Sequence, residues 1–188
     1  MDDYLEQVAG LIRQVPRGAI EDAIERLWQA YRADAQIFAC GNGGSSATAS
    51  HFAEDLAKGI DVPAGYRRFR IISLVDSVPV LTAYANDVGY EHVFSEPLKN
   101  LVRAGDVLLA MSGSGQSANV LRAMEVAREA GAGVVGLTGG DGGAMQRLAD
   151  VCIVVPAQSM QQIEDAHLVI SHAVYLELKR RVEGTTAR

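Results

Sequence analysis

Short apolar segments alternate with amphipathic segments of helical periodicity along this chain of 188 residues. Five of the apolar segments have the length of buried strands: Gln36 to Cys40, Arg70 to Leu74, Val107 to Met111, Gly133 to Leu137 and Val151 to Val155. A parallel sheet needs such strands, because helices connect them and cover both faces of the sheet. The alternation and the chain length therefore predict one α/β domain over residues 1–188, with a five-stranded, flavodoxin-like parallel sheet.

Helical periodicity accounts for most of the remaining sequence. Two amphipathic helices, Tyr4 to Arg13 and Ile20 to Ala33, precede the first strand. We therefore expect residues 1–34 to form an N-terminal helical extension that packs on the core or on neighbouring subunits. Further helices are predicted over Ser45 to Lys58, Val78 to Ala85, Tyr90 to Val102, Asn119 to Ala130, Ala144 to Leu148 and Gln161 to Val182.

A glycine-rich turn, Gly41-Asn42-Gly43-Gly44-Ser45-Ser46, follows the first strand and opens the next helix. The first N–H groups of a helix lack partners, and the helix dipole favours an anion at that end. Glycines also let the backbone approach a ligand without a Cβ in the way. The turn matches neither the phosphate-loop motif nor the dinucleotide motif, so by itself it suits an anion site and a plain tight turn equally well.

A second loop, Ser112-Gly113-Ser114-Gly115-Gln116-Ser117, follows the strand Val107 to Met111 and precedes another helix. Ser-Gly runs are often linkers, but a position between a buried strand and a helix argues against a linker here. Ligands of parallel sheets bind at the carboxyl ends of the strands, so we expect the two loops to hold one anion together. A third glycine-rich loop, Thr138 to Gly143, lies at the same edge and is equally well explained as a turn.

Charge and composition exclude several classes of function. The net charge is −6 and no basic patch stands out, which argues against nucleic acid as a partner. Cys40 and Cys152 lie in strand-like runs, so we expect small buried side chains rather than a disulfide or a metal pair. The chain has neither a signal-like start nor a run near the roughly 20 apolar residues of a membrane span. We therefore expect a cytoplasmic protein without membrane contact.

Acid/base side chains concentrate on two predicted helices. His51 and Asp55 are four residues apart and share a helix face. On the last helix Glu164 lies three residues before His167 and eight before His172. That spacing places Glu164 and His172 about 80° apart around the helix axis, so they could converge on one point. Converging imidazoles and carboxylates can transfer protons or bind a metal, whereas isolated ones form ordinary surface pairs.

Three segments together resemble the sugar-isomerase (SIS) domain family, and within it the phosphoheptose isomerases. They are GNGGSSATASHFAEDL, TAYANDVGYEHVFSEPLKNLVRAGDVLLAMSGSGQSANVLRAMEVAREAGAGVVGLTGGDGG and IEDAHLVISHAVYLELK, and they span most of the chain. The GNGGS turn and the S-x-S-G-x-S-x-N loop carry the resemblance most specifically. It implies an aldose–ketose isomerase that converts sedoheptulose 7-phosphate into D-glycero-D-manno-heptose 7-phosphate. It also implies a homotetramer with active sites between subunits, in which the N-terminal helices serve oligomerisation.

The resemblance further implies roles for individual residues. Binding of the phosphorylated sugar is assigned to Asn42, Gly43, Gly44, Ser45, Asp87, Ser112, Gly113, Ser114, Ser117 and Gln161. A metal ion, expected to be zinc, is assigned to His51, Asp55, Glu164 and His172. Catalysis is assigned to His172, Asp55 and Glu164, with Glu54 as a substitute for Asp55.

Four of these positions depart from the family pattern. Asp55 and Glu164 stand where the family has Glu and Gln, so the expected metal set gains a negative charge. Gly113 and Gln161 stand where the family has Thr and Asp. These departures leave two alternatives open: an isomerase of another phosphosugar, and a non-catalytic SIS module that binds a sugar phosphate or a protein. The presence of both His51 and His172 favours catalysis.

Overall fold

The structure, a computed structural model, describes residues 2–60 and 67–185. Its centre is one parallel sheet of five strands: β1 (Gln36–Gly41), β2 (Arg70–Ser73), β3 (Val107–Ser112), β4 (Gly133–Gly139) and β5 (Val151–Val155). The strand order is β2-β1-β3-β4-β5, and every neighbouring pair is parallel. This confirms the predicted flavodoxin-like sheet, and each strand ends within two residues of its predicted bounds.

Helices cover both faces of the sheet. They are α1 (Asp2–Gln14), α2 (Arg17–Arg32), α3 (Gly44–Lys58), α4 (Val78–Asp87), α5 (Ser95–Lys99), α6 (Ala118–Glu129), α7 (Met145–Leu148) and α8 (Met160–Thr185). On one face α2, α3 and α8 bury their apolar stripes, including Leu27, Phe52 and Ile170. On the other face α5, α6 and α7 bury Leu98, Met124 and Met145. None of the helices in the described residues is long and apolar enough to cross a membrane.

The prediction of one continuous helix from Tyr90 to Val102 is wrong. A 3-10 turn spans Tyr90–His92, and the short helix α5 follows it. Pro97 is the third residue of α5, where its missing N–H does no harm. In a helix that started at Tyr90 the same proline would remove an interior hydrogen bond, so the segment breaks.

Both cysteines are free in the structure; Cys40 is buried within β1, as predicted, whereas Cys152 is only partly buried. Burial raises the pKa of the Cys40 thiol to about 12, because the thiolate would lose its hydration. Cys40 therefore contributes packing rather than chemistry.

A buried carboxylate links the starts of the neighbouring strands β1 and β3. Asp106, which is 6% exposed, precedes β3 and accepts hydrogen bonds from the backbone N–H groups of Gln36 and Arg103, each at 2.8 Å. The Gln36 bond anchors the first residue of β1. Because β1 and β3 each carry a glycine-serine loop at their far ends, this contact helps fix how those loops lie relative to each other.

The carboxyl ends of β1 and β3 lie side by side, with Gly41 paired to Met111. In the sheet β2 lies beside β1 and β4 lies beside β3, so the direction in which successive strands are placed reverses between β1 and β3. Ligands of open parallel sheets bind in the crevice at such a reversal. Both glycine-serine loops open into that crevice, as expected from the sequence.

Candidate active site

The turn after β1 exposes backbone donors at the start of α3. Gly43 has a φ of +54°, a conformation that a Cβ would strain, and no heavy atom lies within 4 Å of where that Cβ would be. The Ser46 N–H bonds back to the carbonyl oxygens of Asn42 and Gly43 at 3.3 and 3.0 Å. The backbone N–H groups of Gly44 and Ser45 come before Ser46 at the start of the helix, so they can donate hydrogen bonds to an anion.

Three serine hydroxyls meet in the loop after β3. The Ser112 Oγ lies 2.9 Å from the Ser117 Oγ and 3.4 Å from the Ser114 Oγ. The Ser114 Oγ also accepts a hydrogen bond from the Gln116 N–H at 3.2 Å. Each hydroxyl can rotate to donate to an incoming phosphate oxygen. The structure thus brings the three predicted serines together; their binding of phosphate stays a prediction.

A pair of amide side chains joins the two loops. The Asn42 Nδ2 donates to the Asn119 Oδ1, and the Asn119 Nδ2 donates to the Asn42 Oδ1, both at 2.8 Å. The Tyr90 hydroxyl donates to the Asn42 Oδ1 at 3.0 Å. Neither Asn119 nor Tyr90 is among the predicted site residues. The asparagine that closes the S-x-S-G-x-S-x-N loop is a sequence signal for the first, whereas nothing in the sequence points to the second.

A second cluster of polar groups lies where α3 packs beside α8. The Nε2 atoms of His51 and His172 are 3.5 Å apart, and each lies 3.8 Å from the Asp55 Oδ2. The two imidazole side chains are 45% and 44% exposed, and the carboxylate is 19% exposed. The shorter Asp55 side chain therefore still reaches both histidines. This trio is hereafter called the histidine cluster.

The histidine cluster fits a divalent metal ion. Its three ligand atoms all lie within 4.8 Å of one another. Ligand atoms about 2.0–2.2 Å from a tetrahedral zinc ion lie about 3.3–3.6 Å apart, so a small closing movement would complete the coordination. Three protein ligands leave the fourth position to water or substrate, which is the pattern of catalytic rather than structural zinc sites.

Glu164 is not part of the histidine cluster in this structure, so its place in the four-residue metal set stays a prediction. Its carboxylate lies against Gly44 at the start of α3, where it would collide with any Cβ on that glycine. The structure places the Glu164 carboxylate at Gly44 and not beside His172, so the two side chains do not converge here although their spacing allows it. The cluster without metal therefore carries one carboxylate rather than two. Glu54 points elsewhere too, since it pairs with Lys58.

The other helix histidine, His167, is enclosed by the core. It is 0% exposed, and its Nε2 lies 3.1 Å from the Thr138 carbonyl oxygen, to which it donates. Burial lowers the pKa of this imidazole to about 4, because the charged form would lose its hydration. His167 is therefore neutral at ordinary pH and faces away from the histidine cluster.

The remaining predicted sugar contacts lie around the two loops. Met160 fills the space that a side chain at Gly113 would need, so the glycine leaves room for the methionine. Gln161 lies in the first turn of α8 and accepts a hydrogen bond from the Ser159 hydroxyl. Asp87 ends α4 and accepts one from Asn86. Within the described residues, neither Asp87 nor Gln161 hydrogen-bonds to the loop serines or to the amide pair.

Comparison with known proteins adds independent evidence. The family model of the SIS domain matches residues 3–139. The phosphoheptose isomerase of Rhodospirillum rubrum is 41% identical over 158 residues, which cover 82% of this chain and 81% of the relative. The structure of the phosphoheptose isomerase GmhA from Neisseria gonorrhoeae superposes with a TM-score of 0.86 at 33% identity, over 94% of this chain and 93% of that one. A phosphoheptose isomerase from Francisella tularensis gives a TM-score of 0.87 at 27% identity, over 95% and 94% of the two chains.

Proposed function

This chain belongs to the SIS domain family, and we infer that it is an enzyme, a phosphoheptose isomerase that converts sedoheptulose 7-phosphate into D-glycero-D-manno-heptose 7-phosphate. The named relatives support this substrate, since they match over most of both chains. The observation that carries the catalytic part is the histidine cluster, because a module that only binds sugar phosphates has no need for it. A cytoplasmic location stays a prediction.

The reaction moves a proton between two neighbouring carbons. A base takes the proton from the hydroxyl-bearing carbon beside the carbonyl group, which gives an enediolate. The proton returns to the former carbonyl carbon, and the hydroxyl proton passes to the former carbonyl oxygen. Where the cluster holds no metal ion, we assign this transfer to His172 and Asp55, whose Nε2 and Oδ2 atoms lie 3.8 Å apart. A carboxylate and an imidazole at this separation can accept and return a proton in turn. As ligands of a metal ion the same two atoms would polarise the substrate through the ion instead.

Zinc is the metal we propose, held by His51, Asp55 and His172. A bound divalent ion would polarise the carbonyl oxygen and stabilise the negative charge that develops there. The cluster's mixed nitrogen and oxygen donors suit zinc. A rise in thermal stability with added zinc, reversed by a chelator, is the expected result, because a ligand that binds only the folded state stabilises it by mass action.

The phosphate supplies binding energy at a distance from the reacting carbons. The loop serines and the N–H groups of Gly44 and Ser45 are the proposed anchors. Energy gained at the phosphate positions the carbons at the acid/base groups, which raises the rate of the chemical step. Contacts of Asp87 and Gln161 with the sugar remain predictions.

We propose that the protein is a homotetramer whose sites are completed between copies. Val169 and Leu176 are 43% and 60% exposed, and they share the face of α8 that carries His172. Large exposed apolar side chains beside a site favour a covering partner. Light scattering should show a species near four times the 20.0 kDa chain mass. A monomer at micromolar concentration would contradict this assembly.

The proposed activity is tested by incubating the metal-loaded protein with sedoheptulose 7-phosphate and a panel of other ketose phosphates. We expect aldose formation from sedoheptulose 7-phosphate, its loss in His172→Ala, and its retention in His92→Gln. His92 is a suitable control because it lies near Glu91 and Glu96 instead of in the histidine cluster. If the protein turns over only a different ketose phosphate, that sugar is the substrate and the assignment to sedoheptulose 7-phosphate is wrong. If it binds sugar phosphates without turning any over, the chain is a non-catalytic module.

A further inference from the structure

The orientation of the amide pair is set by a backbone group. The Val120 N–H donates to the Asn119 Oδ1 at 3.0 Å. A backbone N–H can only donate, so this bond requires the oxygen of the Asn119 amide on that side. The Asn42 Nδ2 must then face the same oxygen, and the Asn42 Oδ1 must face the Asn119 Nδ2. One backbone N–H thus determines which way both amides point.

Both amide oxygens of the pair are fully used. The Asn119 Oδ1 accepts from Val120 and Asn42, and the Asn42 Oδ1 accepts from Asn119 and Tyr90. An amide oxygen has two lone pairs, so neither oxygen can accept a further bond in good geometry. Asn119 is only 3% exposed. What the pair offers a ligand is therefore the second N–H of the half-buried Asn42, a donor.

Tyr90 completes this arrangement from outside both loops. It begins the 3-10 turn Tyr90–His92, and it is 53% exposed. Burial thus contributes little to holding its side chain, and the hydroxyl bond to Asn42 is its specific contact. If that hydroxyl were absent, the Asn42 oxygen would regain a free lone pair and could accept a bond from water or from a sugar hydroxyl.

We propose that Tyr90 is a positioning residue of the isomerase site, which keeps Asn42 as a pure hydrogen-bond donor toward an acceptor oxygen of the sugar phosphate. This rests on the proposed function. The acceptor is an oxygen of the phosphate group or the carbonyl oxygen of the sugar, since both accept and neither donates. Tyr90 itself acts only through Asn42.

The test compares Tyr90→Phe with Tyr31→Phe as a matched control. The Tyr31 hydroxyl also donates one bond, to the Arg67 carbonyl oxygen at 2.9 Å, but it lies on α2 instead of at the loops. In Tyr90→Phe we expect KM for sedoheptulose 7-phosphate to rise about 2- to 10-fold, the effect of one hydrogen bond, with kcat nearly unchanged. In Tyr31→Phe KM should stay at the wild-type value. The melting temperature of Tyr90→Phe should remain near that of the wild type.

Calorimetric binding of inorganic phosphate separates the two possible acceptors and does not depend on turnover. Weaker phosphate binding in Tyr90→Phe identifies the phosphate oxygen, whereas a raised KM with unchanged phosphate affinity identifies the carbonyl oxygen. Asn42→Asp, which exchanges the free donor for an acceptor, should raise KM more than Tyr90→Phe does. The proposal is overturned if Tyr90→Phe keeps the wild-type KM and phosphate affinity. A wild-type protein that binds phosphate and isomerises none of the sugars would instead refute the proposed function alone.

Discussion

The buried imidazole of His167 should make the protein less stable in mild acid. The side chain is 0% exposed, and burial lowers its pKa from 6.5 to about 4. In the unfolded chain the imidazole takes up a proton near its ordinary pKa, whereas in the folded chain it stays neutral until the pH approaches its lowered value. Because the unfolded state binds more protons in this interval, stability falls as the pH drops through it.

The size of the effect follows from the two pKa values. With 6.5 for the unfolded chain and about 4 for the folded one, proton linkage to this single group removes about 2 kcal/mol of the free energy of unfolding between about pH 7 and about pH 5. At still lower pH the loss grows until the folded-state imidazole is protonated as well, at a total of roughly 3 kcal/mol. Either value is a large part of the stability of an ordinary domain.

The variant that checks this is His167→Gln. A glutamine amide can still donate to the Thr138 carbonyl oxygen, which His167 contacts at 3.1 Å, but it does not titrate. The free energy of unfolding, measured by urea titration, should therefore fall by about 2 kcal/mol less in the variant than in the wild type between about pH 7 and about pH 5. Protein concentration must be held fixed and a chelator added throughout, because assembly and metal binding also change stability.

His92→Gln is the control, since it removes a surface imidazole and retains His167. The free energy of unfolding of His92→Gln should still fall by the amount that His167 contributes between about pH 7 and about pH 5. If wild type and His167→Gln lose the same stability over this pH range, His167 is not held neutral by burial, and the reasoning is refuted.

Three further predictions concern the histidine cluster, the core and the second loop. His172→Ala should abolish turnover and the rise in melting temperature with zinc. Glu164→Gln should keep that rise, because the Glu164 carboxylate lies at Gly44, at the start of α3, and not in the histidine cluster. Asp106→Ala leaves two backbone N–H groups without their acceptor and should lower the free energy of unfolding by about 2–4 kcal/mol in urea titrations. Gly113→Thr should destabilise the protein because it needs the space of Met160, and a double-mutant cycle should show that Met160→Ala recovers part of the loss.

Local patterns in the sequence were sufficient to predict most of the fold. The strands follow from apolar runs, and the helices follow from a 3.6-residue periodicity. The long segment from Tyr90 to Val102 is the exception, because its apolar residues suit a helix while Pro97 breaks it. The two glycine-serine loops were predicted at the correct edge of the sheet, since the carboxyl ends of parallel strands share one edge.

From residue patterns alone, the candidate site was predictable only where its residues are neighbours in sequence, whereas the meeting of His172 with His51 and Asp55 was expected from the family resemblance. His51 and Asp55 share a face of α3 at four-residue spacing, and the serines of the second loop are close by chain connectivity. Contacts between distant segments were not predictable in this way. The Asn42–Asn119 pair spans 77 positions, and the Tyr90 contact with Asn42 spans 48.

The sequence by itself thus determined the α/β class, the place of the two glycine-serine loops and one helix face of acid/base groups. Only the tertiary structure decided which residues of α8 meet that face. His172 lies beside His51 and Asp55, Glu164 lies against the start of α3, and His167 is buried under the sheet edge at Thr138. Periodicity fixes the angle of a side chain around its own helix, but not how far one helix is shifted along another. That shift is set by packing of the two helices on the sheet, which involves residues far apart in the chain.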